Sequence, residues 1–141
     1  MNLMALGLTE RDYDCMVSIN ALTFKGWPAR VKEISASMKV KPPTAVGFLE
    51  KLTGLNLVEK GNIGYRLTGR GKEVLDSVTR AHRLFETLLS EAGIPLDNAC
   101  RISSSIDRHV NGDFLEALCS VLRHPDRCPH GSPIPGGVRH V

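Results

Sequence analysis

The sequence predicts a mainly α-helical fold: an N-terminal winged helix-turn-helix followed by a second helical domain. Three observations predict it. Apolar residues recur at helical spacing in three short stretches between Thr9 and Thr53. Two β-type runs then flank the turn Gly61-Asn62-Ile63-Gly64. Beyond residue 69 a long apolar stripe, followed by two shorter ones, carries helical periodicity toward the C-terminal end.

Each element follows from its residues. Thr9 is placed to cap a first helix to about Phe24, because Asp12, Cys15, Ile19 and Leu22 fall on one face at i, i+3, i+7 and i+10. Gly26-Trp27-Pro28 ends it. A second helix is expected over Val31 to Met38, with Val31, Ile34 and Met38 inward. Lys39-Val40-Lys41-Pro42 is a tight connection to a third helix, with Pro43 in its first turn. That helix runs to about Thr53 and is expected to bury Val46, Leu49 and Leu52. Leu57 to Lys60 and Tyr65 to Leu67 make a short hairpin. The long helix spans about Gly69 to Ala92, with Val74, Leu75, Val78, Ala81, Phe85, Leu88 and Leu89 as its apolar stripe. Asp97 is expected to cap a fifth helix, and Asn111 or Asp113 a sixth. The sixth helix's apolar face is Phe114, Leu115, Leu118, Val121 and Leu122. The Pro-, Gly- and His-rich tail from Arg123 reads as loop.

Charge divides the chain. Residues 25–72 hold ten Lys/Arg against Glu33, Glu50 and Glu59, a net of +7. The remainder holds eight basic and twelve acidic residues, a net of −4, which gives the whole chain its +3. Concentrating positive charge in the segment that reads as a winged helix implies a polyanionic partner. The expected division is therefore 1–72, a winged helix-turn-helix that binds double-stranded DNA, and 73–141, a helical domain with the Pro/Gly-rich tail. A winged helix serving as a protein-interaction module is the rival, and the +7 segment argues against it.

Composition excludes other classes. Of 141 residues, 42% are hydrophobic, enough for a core. No apolar run reaches the ~18 residues of a membrane span. The N-terminus lacks a basic-then-apolar leader, so a cytoplasmic protein is expected. No phosphate-cradling glycine loop or Ser/His/Asp arrangement marks an enzyme. The four cysteines, Cys15, Cys100, Cys119 and Cys128, are too dispersed for a disulfide framework. Each reads either as a small buried hydrophobe or as a metal or redox thiol.

At family level, the helix-turn-helix VKEISASMKVKPPTAVGFLEKL is followed by a wing entered by LNLVEKG and left by YRLTGRGKEV. AHRLFETLL in the long helix, NACRIS in the fifth and a closing CPHGSPIPGG complete a pattern from about Thr9 to Gly137. This order resembles the iron- and manganese-dependent repressors of the diphtheria-toxin-repressor type, in their shorter form without an SH3-like domain. The resemblance implies a homodimer on a roughly palindromic operator, dimerising through the helices after the wing. It also implies a divalent corepressor metal held between helix one and those helices.

Carried across by motif, the implied metal ligands are Asp12 and Cys15 in helix one, His82 and Glu86 as an H-x-x-x-E pair, and Cys100 in the fifth helix. Spacing of i and i+4 puts His82 and Glu86 on one helix face. The family continues after the Cys100 position to an adjacent Glu-His pair, where this chain has Ser103 and Ser104. Two strong ligands are therefore absent, and neutral hydroxyls replace them poorly. The remaining donors favour zinc, ferrous iron or an iron–sulfur centre over manganese, with Cys128 and His130 joining if the tail folds back. A DNA-binding regulator of the same fold without metal, either constitutive or switched by a redox-sensitive cysteine pair, is the alternative. His124 and His140 are not expected to be ligands, and Cys119 is expected in the core. On the DNA side, Pro43, Thr44 and Gly47 open the recognition helix, where base edges are reached. Gly47 offers no side chain, so specificity is left to Thr44, Lys51 and apolar contact by Pro43 with thymine methyls, or to DNA shape. Lys39, Lys41, Arg66 and Lys72 are candidate phosphate contacts.

Overall fold

The computed structural model describes residues 6–136; Gly137 of the family motif and His140 lie outside them. The order of elements is α1 (Glu10–Thr23), α2 (Val31–Met38), α3 (Pro42–Gly54), β1 (Val58–Lys60), β2 (Tyr65–Leu67), α4 (Gly69–Glu91), α5 (Leu96–Ile106) and α6 (Gly112–Val121). The chain forms two compact units, Leu6–Leu75 and the residues from Asp76 onward, and the division falls within α4.

In the N-terminal unit α1 starts where a capping box forms. Thr9 Oγ1 accepts the Asp12 N–H, and the Asp12 carboxylate accepts the Thr9 N–H. Cys15, Met16 and Ile19 of α1, Ile34 of α2, and Leu49 and Leu52 of α3 are fully buried and make the three-helix core. The α2–α3 connection is tight because Lys39 takes the left-handed conformation, φ 57°, letting Lys39 and Val40 N–H groups donate to Ala36 and Ser35 carbonyls. The wing pairs β1 and β2 antiparallel, with Val58 opposite Leu67 and Lys60 opposite Tyr65. Tyr65 also pairs with Ala29, whose N–H donates to its carbonyl at 2.9 Å and whose carbonyl accepts from it at 2.8 Å. This pins the wing to the α1–α2 connection, and Gly64 is required beside it. A Cβ there would lie 2.6 Å from the Ala29 oxygen.

The second unit is built on Ala81, Leu84 and Phe85 of α4, and Leu115, Leu118, Cys119 and Leu122 in and after α6. Cys128 and Ile134 of the C-terminal loop complete that core. The loop from Asp126 to Ile134 is closed on itself. Cys128 N–H donates to Ser132 O, and Ile134 N–H to Asp126 O at 2.8 Å. The Arg83 guanidinium of α4 donates to the Pro133 carbonyl and holds the loop down.

The structure corrects several sequence expectations. The third helix begins one residue earlier, at Pro42, and buries Ala45, leaving Val46 half-buried. The fifth helix starts at Leu96 directly after Pro95, so Asp97 lies in its first turn rather than at its cap. Asn111 caps the sixth helix by accepting the Phe114 N–H. The inward face of α6 is narrower than expected: Leu115, Leu118, Leu122 and Cys119 are buried as expected, while Val121 is 74% and Phe114 49% exposed. Phe114 keeps one face stacked on Phe85, with ring centroids 5.9 Å apart. The tail is loop, but Cys128 and Ile134 make it part of the core, which Pro and Gly content alone does not reveal.

Candidate metal centre and nucleic-acid face

The metal-binding candidates fall in both units. In the second unit, one helical turn puts His82 and Glu86 side by side, with His82 Nε2 2.9 Å from Glu86 Oε1. Cys100, from α5, brings its Sγ to 3.6 Å from the same imidazole nitrogen. Glu86 is 3% exposed, and its second oxygen faces the C-terminal loop, where His130 Nδ1 lies 2.7 Å away. Ligand atoms of His82, Glu86 and Cys100 lie within 4.8 Å of one another, and so do those of Glu86, Cys128 and His130. The two groups share Glu86, so four donors surround one buried carboxylate: two imidazoles and two thiols.

Several features fit this cluster to a divalent ion. Glu86 Oε2 and His130 Nδ1 are close but not aligned as a hydrogen bond, which leaves that buried oxygen without a hydrogen-bond partner. A buried carboxylate oxygen that accepts no aligned hydrogen bond has lone pairs to offer a cation. The far ring nitrogen, His82 Nδ1, is 3.0 Å from Asp107 Oδ2. A carboxylate there holds the proton on Nδ1, fixes the ring and leaves Nε2 as the free donor toward Glu86 and Cys100. The same Asp107 contact is the main reason the His82 pKa is raised, with the Glu86 charge adding to it. Burial first, and the carboxylates of Glu86, Asp97 and Asp107 after it, hold the Cys100 thiol above its ordinary range. A divalent ion held by these residues would favour the Cys100 thiolate over the thiol. Thiolate plus imidazole donors suit zinc or ferrous iron.

Ser103 and Ser104 stand where the family resemblance implies Glu and His. Ser103 is fully buried with no hydrogen-bond partner for its hydroxyl, and Ser104 is exposed. The donors missing from α5 are matched in number by Cys128 and His130 of the loop. Asp107 is the residue that sequence reasoning missed. It lies in a run of ordinary helix-end residues, and only its position opposite Nδ1 reveals it.

Asp12 and Cys15 belong to the N-terminal unit and are engaged there. Asp12 is 1% exposed. Its Oδ2 accepts from Lys51 Nζ at 2.5 Å and from the Thr9 backbone N–H at 2.8 Å. Burial opposes the carboxylate charge, but Lys51 and Thr9 together outweigh it and lower the Asp12 pKa. Cys15 is fully buried, and burial with the Asp12 charge pushes its thiol up to about 12. Cys119 Sγ sits 3.4 Å from His124 Nδ1, apart from the cluster around Glu86.

The nucleic-acid candidates form the surface of α3 and the wing. Lys39, Lys41, Pro43, Thr44 and Gly47 are all exposed at the start of α3 or just before it. Open space surrounds the Gly47 Cα, so this part of the helix surface is smooth. Arg66 is the outward residue of β2, between buried Tyr65 and Leu67. Lys72 is exposed in the first turn of α4. Lys51 differs from the rest in being paired with Asp12.

Residues 68–136 match the family described as iron dependent repressor, metal binding and dimerisation domain. The diphtheria toxin repressor of Corynebacterium jeikeium is 39% identical over 127 residues, which cover 84% of this chain and 50% of that protein. A hypothetical protein from Sulfolobus solfataricus has the same fold, with TM-score 0.86 and 28% identity over 91% of this chain and 99% of that one. ScaR with bound Cd2+ superposes with TM-score 0.77 and 28% identity, over 90% of this chain and 60% of its own. The chain spans about half the length of the curated relatives it matches. Among the described residues no helix is long and apolar enough to cross a membrane.

Proposed function

For a chain that belongs to the iron-dependent repressor family of the diphtheria-toxin-repressor type, we propose a DNA-binding transcription regulator, acting in the cytoplasm as a homodimer on a palindromic operator. Its sensor is the thiol-containing cluster of the C-terminal unit. The observation that carries the sensor reading is Glu86: a buried carboxylate with an imidazole at each oxygen and a thiol beside each imidazole. A bound divalent ion supplies a fixed positive charge there.

The chain's own residues do the rest. His82 presents Nε2 because Asp107 holds Nδ1. Cys100 ties α5 to α4, and Cys128 and His130 tie the C-terminal loop to α4. The N-terminal unit offers Lys39, Lys41 and Arg66 to phosphates, with Thr44 and Pro43 reaching base edges and Gly47 between them. Effector and DNA then affect each other's affinity reciprocally.

Metal analysis of the protein purified without air, beside Cys100→Ser and Cys128→Ser variants, tests the sensor. About one zinc or iron per chain, reduced in both variants, is the expected result. Fluorescence anisotropy on an operator-like duplex should show a loss of affinity of ~5–150-fold on chelation. Metal-free protein that takes up no zinc or iron on titration, yet binds DNA equally well, would overturn the sensor reading and leave thiol oxidation as the switch.

A further inference from the structure

Asp12 and Lys51 carry different expected tasks, metal binding and DNA binding, yet the fold makes them each other's partners. Asp12 lies at the start of α1 and Lys51 in the last turn of α3. The Lys51 ammonium sits 2.5 Å from Asp12 Oδ2, and the same oxygen accepts the Thr9 N–H of the capping box. The Asp12 side chain is 2% exposed and that of Lys51 41%, so the carboxylate is buried beneath a cation of the protein's own. One turn along α1, Cys15 is fully buried. These donors do not fit a divalent ion. An incoming metal would have to expel the ammonium, break the cap that starts α1, and reach a thiol with no exposed surface.

We propose that Lys51 is the resident cation of Asp12, so that α1 contributes no metal ligand and the Asp12–Lys51 pair is a fixed strut between α1 and the DNA-reading helix α3. The Lys51 charge is spent inside the fold instead of on a phosphate. Lys51 is thereby a positioning residue: it sets how the N-terminal turn of α1 and the C-terminal turn of α3 meet. Removing Lys51 strands the buried Asp12 carboxylate, removing Asp12 frees an ammonium that is already 41% exposed, and removing both leaves a neutral site.

The strut rests on the DNA-binding reading only for its second test. In the first, cobalt(II) is titrated into the full chain and its Asp12→Asn and Cys15→Ser variants, with thiolate-to-cobalt absorption as readout. Wild type and both variants should take up the same number of ions with affinities within about twofold. Loss of an ion, or a tenfold weakening in Asp12→Asn, would restore Asp12 to the metal site and overturn the proposal. In the second test, affinity for a random-sequence duplex is followed against salt at constant metal. Lys51→Gln should weaken binding while leaving the salt slope unchanged, since no phosphate contact is lost. Asp12→Asn should steepen the slope by about 0.9 by releasing one ammonium. The double variant, with no charge at either position, should return to the wild-type slope. A slope flattened by about 0.9 in Lys51→Gln would make Lys51 an ordinary phosphate contact and overturn the strut. If wild type binds no DNA even at low salt, the DNA reading fails, and the cobalt titration still decides whether Asp12 is a ligand. If Asp12→Asn fails to fold, the Cys15→Ser titration decides the same point: unchanged uptake supports the strut, and loss of an ion places α1 in the metal site and overturns it.

Discussion

At the scale of single residues, burial governs how the thiols behave. Cys15 is enclosed in the α1 core beside an ionised carboxylate, and both burial and that charge favour its protonated form. The unfolded chain ionises this thiol near the ordinary value of 9.0, while the folded chain holds its proton up to about 12. The folded state therefore gains stability from Cys15 that is fully present below pH 9 and is lost as pH rises toward 12. Cys15→Ala should flatten the decline in unfolding free energy across that window, measured by urea titration at successive pH values, with the full effect bounded at about 4 kcal/mol. The same enclosure should keep Cys15 unalkylated in native protein at pH 8. The residue type and the family resemblance mark Cys15 as a candidate ligand. Nothing in the sequence says that its surroundings hold its proton in place.

At the scale of elements, two glycines within helices have opposite meanings. Gly71 opens α4 directly against the start of the wing, and a Cβ there would lie 2.1 Å from the Leu57 carbonyl oxygen. Gly47, in α3, faces open space. Gly71→Ala should destabilise by about 1–3 kcal/mol through overpacking, and Gly47→Ala should stabilise by about 0.5–1 kcal/mol by restoring helix propensity. Urea midpoints of the two variants check both signs. The elements themselves were legible. Thr9, the Lys39–Pro42 connection, the Gly61–Gly64 turn and Asn111 are local signals, and the structure uses each as a cap or turn. What failed was the width of the inward face of α6 and the role of the tail. Phe114 and Val121 are as apolar as Leu118, and only the position of Phe85 and the loop decides which of them turns inward. The site was half legible for the same reason. His82 and Glu86 are neighbours by helix geometry alone, while Cys128, His130 and Asp107 reach the cluster by long-range folding.

At the scale of the whole molecule, the basic excess and the candidate metal donors around Glu86 are segregated along the chain. The basic excess of residues 25–72 lies within the N-terminal unit, and the thiol cluster around Glu86 lies in the other. Because Cys128 both packs in the second core and offers a donor, metal binding and folding of that unit draw on the same residue. Zinc or ferrous iron at a hundredfold its Kd should add about 2.7 kcal/mol to unfolding by mass action. Calorimetry should show the gain as a raised Tm, much reduced in Cys128→Ser and in Glu86→Gln. The strut at Asp12 has a consequence on another timescale. Losing Lys51 alone leaves an unmatched carboxylate in a closed core, so position 51 is not free to drift while Asp12 remains. Across descendants of this chain, position 51 should change only where position 12 has changed, a covariation between sites 39 residues apart in the chain and in hydrogen-bond contact in space.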